Sequence, residues 1–191
     1  YLDTGAMYRT VGLLAVRTNT DRHDDAALAE LLKNADIRVL RVDGRQHMAL
    51  NGEDVETLIR TQEISMAASD VASCPSVRRA LVALQQKIAA GCDVVMDGRD
   101  IGTRVLPDAD YKFFLTASDK VRAQRRYDEL KAKGESVTLQ EVLEDVRRRD
   151  EQDTTRAESP LTIADDATEG ETADLGIDEV VTVLMALMGR F

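Results

Sequence analysis

The ten residues Val94-Val-Met-Asp-Gly-Arg-Asp-Ile-Gly-Thr103 constrain this chain more than any other stretch. Three apolar or β-favouring residues run into a cluster in which two carboxylates flank an arginine and two glycines free the backbone. That is the pattern of a buried strand emptying into a loop. In open α/β sheets, chemistry sits at such strand ends. Arg99 is a fixed fork suited to phosphate, and Asp100 is a pure acceptor suited to an amino group or a cation. Together they suit an anionic ligand that also carries N–H donors. The competing reading is a turn with a surface ion pair.

The rest of the chain limits what such a site can serve. Its 191 residues amount to one to one and a half domains, with 43% hydrophobic and 31% charged residues, enough for a real core. A formal net charge of -10 argues against a nucleic-acid or membrane-surface protein, since phosphate polymers attract broad basic faces. Nineteen of the 25 basic residues are arginines, which suits local recognition of a small phosphate compound. Cys74 and Cys92 lack metal-ligand spacing, and with only His23 and His47 there is no zinc constellation, so a reduced, cytoplasmic setting is expected. The apolar segment Val180 to Met188 is far short of the roughly 20 residues that cross a bilayer.

In chain order, Tyr1-Leu-Asp3 reads as the tail of a strand, followed by a helix that Thr4 caps and that runs to about Arg17 on the stripe Met7, Val11, Leu14. Tyr8 and Arg9 fall on its first turns, near the strand end. A short amphipathic helix covers Ala26 to Leu32. Two alternating strands within 36–42 and 47–55 join at Asp43-Gly44, and the second ends in Asn51-Gly52, another strong turn signal. Ile59 to Ser73 is expected as one helix, and Pro75 opens another on the stripe Val77, Leu81, Leu84, Ile88, with Ser69 and Arg78 off the apolar stripes. Arg78 and Arg79 are adjacent and cannot point the same way.

Beyond the loop, Tyr111 to Thr116 reads as a second short buried strand. A helix from near Ser118 to Gly134 carries Arg122, Arg125 and Arg126 as a basic strip. Thr138-Leu-Gln-Glu141 is a capping box for a helix that would align Arg149, Asp153 and Arg156 if it continues. Either a solvated face or a ligand-facing row fits that spacing. Residues 176–188 form an apolar helix that must pack on a sheet.

Four blocks then stand together: Leu2-Asp-Thr-Gly-Ala-Met-Tyr-Arg9, Ile59-Arg-Thr-Gln-Glu63, Asp97-Gly-Arg-Asp-Ile-Gly-Thr103 and Arg149-Asp-Glu-Gln-Asp-Thr-Thr-Arg156. In this order and spacing the chain closely resembles the bacterial cytidylate kinases over essentially its whole length. The resemblance implies an α/β, P-loop nucleoside monophosphate kinase fold, a parallel sheet with flanking helices, an inserted antiparallel CMP-binding subdomain and a helical lid. The segments it implies are core at 1–21, CMP-binding insertion at 22–68, core at 69–118, lid and flanking helices at 119–156, and C-terminal core at 157–191. It implies transfer of the γ-phosphoryl of ATP to CMP or dCMP, with Mg²⁺, by a cytoplasmic monomer that engages neither nucleic acid nor membrane.

The resemblance also implies roles. Arg9 and Arg99 match positions that bind the CMP phosphate, and Ser69, Arg78 and Asp100 match the cytosine readers. An acidic acceptor for the N4 amine beside an arginine donor for N3 and O2 is the pattern complementary to cytosine, and uracil would set a carbonyl against Asp100. Asp153 and Arg156 fall near ribose and phosphate, Thr4 beside the sugar, and Tyr8 among the CMP-binding residues. Arg125, Arg126 and Arg149, with Arg156, would serve catalysis as the lid closes over the ATP phosphates. Asp97 would help arrange Mg²⁺ through water, with a turn-stabilising role as the rival.

Two departures accompany the resemblance. The sequence contains no Gly-x-x-x-x-Gly-Lys-[Ser/Thr], which the family carries upstream of the Leu2 to Arg9 block, and the chain begins at Tyr1 inside what reads as a strand. A truncated chain is therefore expected, lacking the first strand, P-loop and first helix, with a gap of roughly 10 Å in its sheet and no turnover. A nucleotide-binding module without catalysis is the alternative, and a non-nucleotide scaffold a third. The second departure is Thr168-Glu-Gly-Glu171, where the family has an apolar strand, so this strand is expected to be frayed or absent.

Overall fold

Asp3 ends one element and starts the next. It closes strand β1 (Leu2–Asp3), and its carboxylate then accepts the Ala6 N–H at 3.0 Å, capping helix α1 (Thr4–Arg17). Thr4, expected as the cap, instead gives its hydroxyl to the Asp97 carbonyl at 2.6 Å. A carboxylate one residue earlier reaches the orphan N–H better than a hydroxyl already inside the helix. The computed structural model describes residues 1–189, in two compact units: Tyr1–Pro107 with Gln152–Thr162, and Asp108–Glu151 with the segment from Ile163. Arg190 and Phe191, the end of the expected C-terminal segment, lie outside the described residues.

In the first unit, β1 pairs in parallel with β5 (Met96–Asp97), setting Leu2 beside Met96 and Asp3 beside Asp97. The expected strand is shorter than 94–96 implied and is not buried throughout. Period-two alternation turns Val94 and Met96 toward the core and sends Val95 to the other face, where it is 69% exposed. Helix α1 buries Met7, Val11 and Leu14, its expected stripe. Helices α2 (Asp25–Lys33) and α4 (Pro75–Ala89) form as expected, α4 with proline in its first turn. The expected helix 59–73 is interrupted: Leu58–Arg60 is a 3-10 turn, and Thr61, extended, caps helix α3 (Gln62–Val71) through the Ile64 N–H at 3.2 Å. Helices α1 and α3 pack at Gly12, which lies directly against the backbone at Ala67 and Ala68.

An antiparallel patch of β2 (Ile37–Val42), β3 (Arg45–Leu50) and β4 (Glu53–Asp54) completes this unit. Asp43 and Gly44 both take positive φ, 49° and 76°, as a tight hairpin requires. Asn51 and Gly52 repeat that geometry at 51° and 86°, the turn expected at the end of the second strand, and Glu53–Asp54 folds back on it as β4. Gln46 on β3 ties the patch to β1. Its amide accepts the Asp3 N–H at 2.8 Å and donates to the Asp3 carbonyl at 3.0 Å, as a neighbouring strand would.

In the second unit, β6 (Phe113–Thr116) pairs in parallel with β7 (Thr168–Glu171), Phe113 beside Thr168 through Thr116 beside Glu171. The strand expected to fray is therefore formed. Its ladder bonds come from the backbone, extended by Thr168 N–H to Lys112 and Thr172 N–H to Thr116, and need no apolar side chains. Nor is β6 buried as expected: Leu115 is exposed. Helix α5 (Asp119–Ala132) starts at its Ser118 cap, and α6 (Leu139–Thr155) at the expected Thr138 and Glu141 capping box; the last turn of α6 lies in the first unit. Ala123, Leu130 and Val142 form the unit's small core. Helix α7 (Ile177–Leu187) buries none of its residues. Val180, Val183, Leu184 and Leu187 border a cavity of about 70 Å³ with Phe113 and Leu115 of β6, so the expected packing on a sheet is loose.

Candidate functional site

The loop after β5 is shaped by a close approach at Gly98. A Cβ there would lie 2.8 Å from the Thr4 hydroxyl and 2.8 Å from an Ile101 methyl, so any other residue would have to displace the Thr4 or Ile101 side chain. The chain then enters a single π-helical turn, Ile101–Val105, with Asp100 just before it. This directs Asp100 inward. It is 5% exposed and forms an ion pair with Arg78 of α4, itself only 2% exposed. Arg79 beside it is exposed, the division their adjacency required.

A connected group builds outward from that pair. The Arg78 guanidinium lies over the Tyr8 ring, 5.6 Å from its centroid. Arg156, just past the end of α6, has its side chain only 5% exposed, with Nη2 3.9 Å from Asp100 Oδ1 and Nη1 3.0 Å from Asp153 Oδ1. Burial, and then the nearby Arg78 cation, lower the Arg156 pKa. Asp153 also accepts from Arg99 Nε at 3.0 Å. The Ser69 hydroxyl donates to Gln152 Oε1 at 2.9 Å, on the residue preceding Asp153. Buried atoms without a hydrogen bond in this group are the Tyr8 hydroxyl, Arg78 Nε and Arg156 Nη2. Three polar atoms are thus held out of water around one acid with hydrogen-bonding capacity unused.

The Tyr8 hydroxyl shows how this surface responds to pH. Burial pushes its pKa from the ordinary 10.0 up to about 12. The folded protein therefore holds this proton over a window where the unfolded chain releases it, so stability falls as the pH rises from about 10 to about 12. Tyr8→Phe keeps the ring beneath Arg78 and deletes the proton. Relative to the variant, the wild-type protein is expected to lose stability across that window and at no lower pH, as urea unfolding at a series of pH values would show.

Seven of the residues expected at the acceptor site, Tyr8, Ser69, Arg78, Arg99, Asp100, Asp153 and Arg156, are joined by these contacts. Two stand at its edge: Thr4 is spent on the Asp97 carbonyl, and Arg9 reaches the Ile59 carbonyl at 3.3 Å. The Asp97 carboxylate accepts the Tyr1 hydroxyl at 2.8 Å. The row Arg149, Asp153, Arg156 runs to the very end of α6, which closes at Thr155 with the Arg156 N–H still donating to the Gln152 carbonyl at 3.1 Å. In the second unit, Arg125 reaches the carbonyls of Thr172 and, at 3.3 Å, Leu175. There Arg126 pairs with Glu129 at 3.0 Å, Arg149 with Asp145 at 2.9 Å, and Arg122 with both oxygens of Asp150.

Gln152 and Gln46 carry no sequence signal, because their amides join elements distant along the chain and leave no periodic trace. The block Ile59 to Glu63 has a structural role that only the fold reveals. Ile59 is fully buried, Arg60 bridges Asp3 at 2.9 Å and Glu56, and Thr61 is the α3 cap, so this block holds the insertion onto β1. Among the described residues no group of three or more His, Cys, Asp or Glu could hold a metal ion, and no helix is long and apolar enough to cross a membrane.

Comparison with known proteins places the chain in a family. The sequence model of one family, described as cytidylate kinase, matches residues 1–190. The chain is 48% identical over 190 residues to a cytidylate kinase of Carboxydothermus hydrogenoformans, covering 100% of this chain and 86% of that protein. It is 46% identical over 187 residues to one of Caldicellulosiruptor bescii, covering 98% and 83%. Over 185 residues it is 46% identical to one of Bacillus subtilis, covering 97% and 83%.

Proposed function

Because the chain belongs to the cytidylate kinase family, we propose that the first unit is an acceptor site for CMP or dCMP and that the reaction moves the γ-phosphoryl of ATP onto it, giving CDP or dCDP and ADP. The observation that carries this reading is the buried Arg78 and Asp100 pair, with Arg78 Nε and the Tyr8 hydroxyl unsatisfied beside it. Asp100 takes a hydrogen from the cytosine amine while Arg78 donates to the ring acceptors. Arg99 and Arg156 share Asp153 and form two guanidinium forks from which a phosphate dianion draws hydrogen bonds, with Arg9 as a third. Asp153 serves the ribose, with Thr4, its hydroxyl already donated to the Asp97 carbonyl, beside the sugar.

Transfer of this kind asks the protein to position two phosphates, offset their charge and exclude water. Arg125, Arg126 and Arg149 supply cationic forks from the helical lid within 119–156. Mg²⁺ keeps most of its waters and sits on substrate phosphates with one or two carboxylates, and the exposed Asp97 fits that limited demand. When bound, Mg²⁺ neutralises charge on the phosphates. A cytoplasmic monomer acting on free nucleotides is the setting this reading carries.

No Gly-x-x-x-x-Gly-Lys-[Ser/Thr] occurs within the 191 residues, so we assign them acceptor binding without turnover on their own. Calorimetric titration with CMP and with UMP, paired with a coupled ADP-release assay, tests both halves. Binding of CMP in preference to UMP and no ADP release are expected. Equal affinity for the two would sink the acceptor assignment, and Mg²⁺-dependent, CMP-dependent ADP release by this chain would sink the second half. In Asp100→Asn, which offers a donor beside its acceptor, the preference for CMP is expected to narrow.

A further inference from the structure

We infer that Gln152 is a positioning residue for base selection, acting by committing the Ser69 hydroxyl proton. The inference rests on the acceptor-site reading and adds to it a residue with a defined polarity. A serine hydroxyl carries one hydrogen to donate and two lone pairs to accept with. Its hydrogen rotates to whatever acceptor is offered, so an unrestrained serine reads an amine and a carbonyl alike. Here the hydrogen is directed to Gln152 Oε1 at 2.9 Å, across 83 positions of the chain. What Ser69 then presents to a ligand is lone pairs only.

The neighbours make that polarity matter. Gln152 stands in the last turn of α6, directly before Asp153, whose carboxylate holds Arg99 and Arg156, and Arg156 in turn lies against Asp100. The acceptor of Ser69 is thereby tied to the same assembly as the acceptor of Asp100. An exocyclic amine has two hydrogens and is matched by two acceptors, Asp100 and Ser69. A ring carbonyl at the same place brings no hydrogen and meets lone pairs at both. Gln152 thus sharpens the choice of cytosine over uracil without touching the base.

The experiment measures CMP and UMP dissociation constants by calorimetry for the wild-type chain, Gln152→Met, Gln152→Glu and Ser69→Ala. Met fills a similar volume in the helix and accepts no proton from Ser69, so the hydroxyl is released. The CMP-over-UMP ratio is expected to fall about 3- to 10-fold, the worth of one neutral hydrogen bond, mainly through tighter UMP binding. Glu restores an acceptor oxygen and is expected to restore the ratio. Gln152→Met in the Ser69→Ala background is expected to change the ratio no further. An unchanged ratio in Gln152→Met, or an equal loss in Gln152→Met and Gln152→Glu, would overturn the inference while leaving the acceptor site standing. Absence of any CMP preference in the wild-type chain would overturn both.

Discussion

Asp100→Ala is expected to lower the unfolding free energy by about 3–5 kcal/mol, the cost of removing one partner from a buried ion pair. The size follows from what is left behind. The Arg78 guanidinium would keep the Tyr8 ring and a 3.4 Å bond to the Ala72 carbonyl, neither of which balances its charge out of water. Arg156, its side chain 5% exposed, would lose its second acid and be left with Asp153 alone. Two cations would then face each other in a space closed to solvent. Urea unfolding measures the loss, and a change below about 1 kcal/mol would mean that water reaches the pair. CMP is expected to raise the midpoint of thermal unfolding of the wild-type chain and not of the variant, because a ligand stabilises only the state that binds it.

Gly12→Leu is expected to cost about 1–3 kcal/mol, the usual range for forcing extra volume into a packed contact. At Gly12 a Cβ alone would come within 2.9 Å of the Ala68 amide nitrogen and 3.1 Å of the Ala67 carbonyl carbon. Those are backbone atoms of α3, so relief requires the helices to separate. Better helix propensity returns about 1 kcal/mol at most. The variant is informative because α1 carries Tyr8 and Arg9 and α3 carries Ser69, so the spacing that Gly12 permits also sets the width of the proposed acceptor site. Weaker CMP binding together with lower stability is expected in calorimetry and urea unfolding. Full stability with undiminished CMP affinity would show that the crossing can widen without cost.

Much of this site was legible from chain-local signals. Asp97-Gly-Arg-Asp100 announced a strand end with an anion fork and an acceptor, and the adjacency of Arg78 and Arg79 required one to turn in and the other out. Helix starts at Pro75, Ser118 and Thr138 were readable because caps and first-turn prolines act within four residues. The strand Thr168–Glu171 is not legible from its residues for the opposite reason. Side-chain propensity describes packing against neighbours, whereas this edge is held by backbone bonds to β6.

What the sequence by itself determined is the set of groups available for a nucleotide and the order in which helices and turns deliver them, since both depend on near neighbours. Tertiary structure alone decided which arginine is buried, that Asp100 faces Arg78 and Arg156 together, and that the proton of Ser69 is held by Gln152. Those depend on how much water each charge loses and on bonds spanning 22 to 83 positions, which no local pattern records.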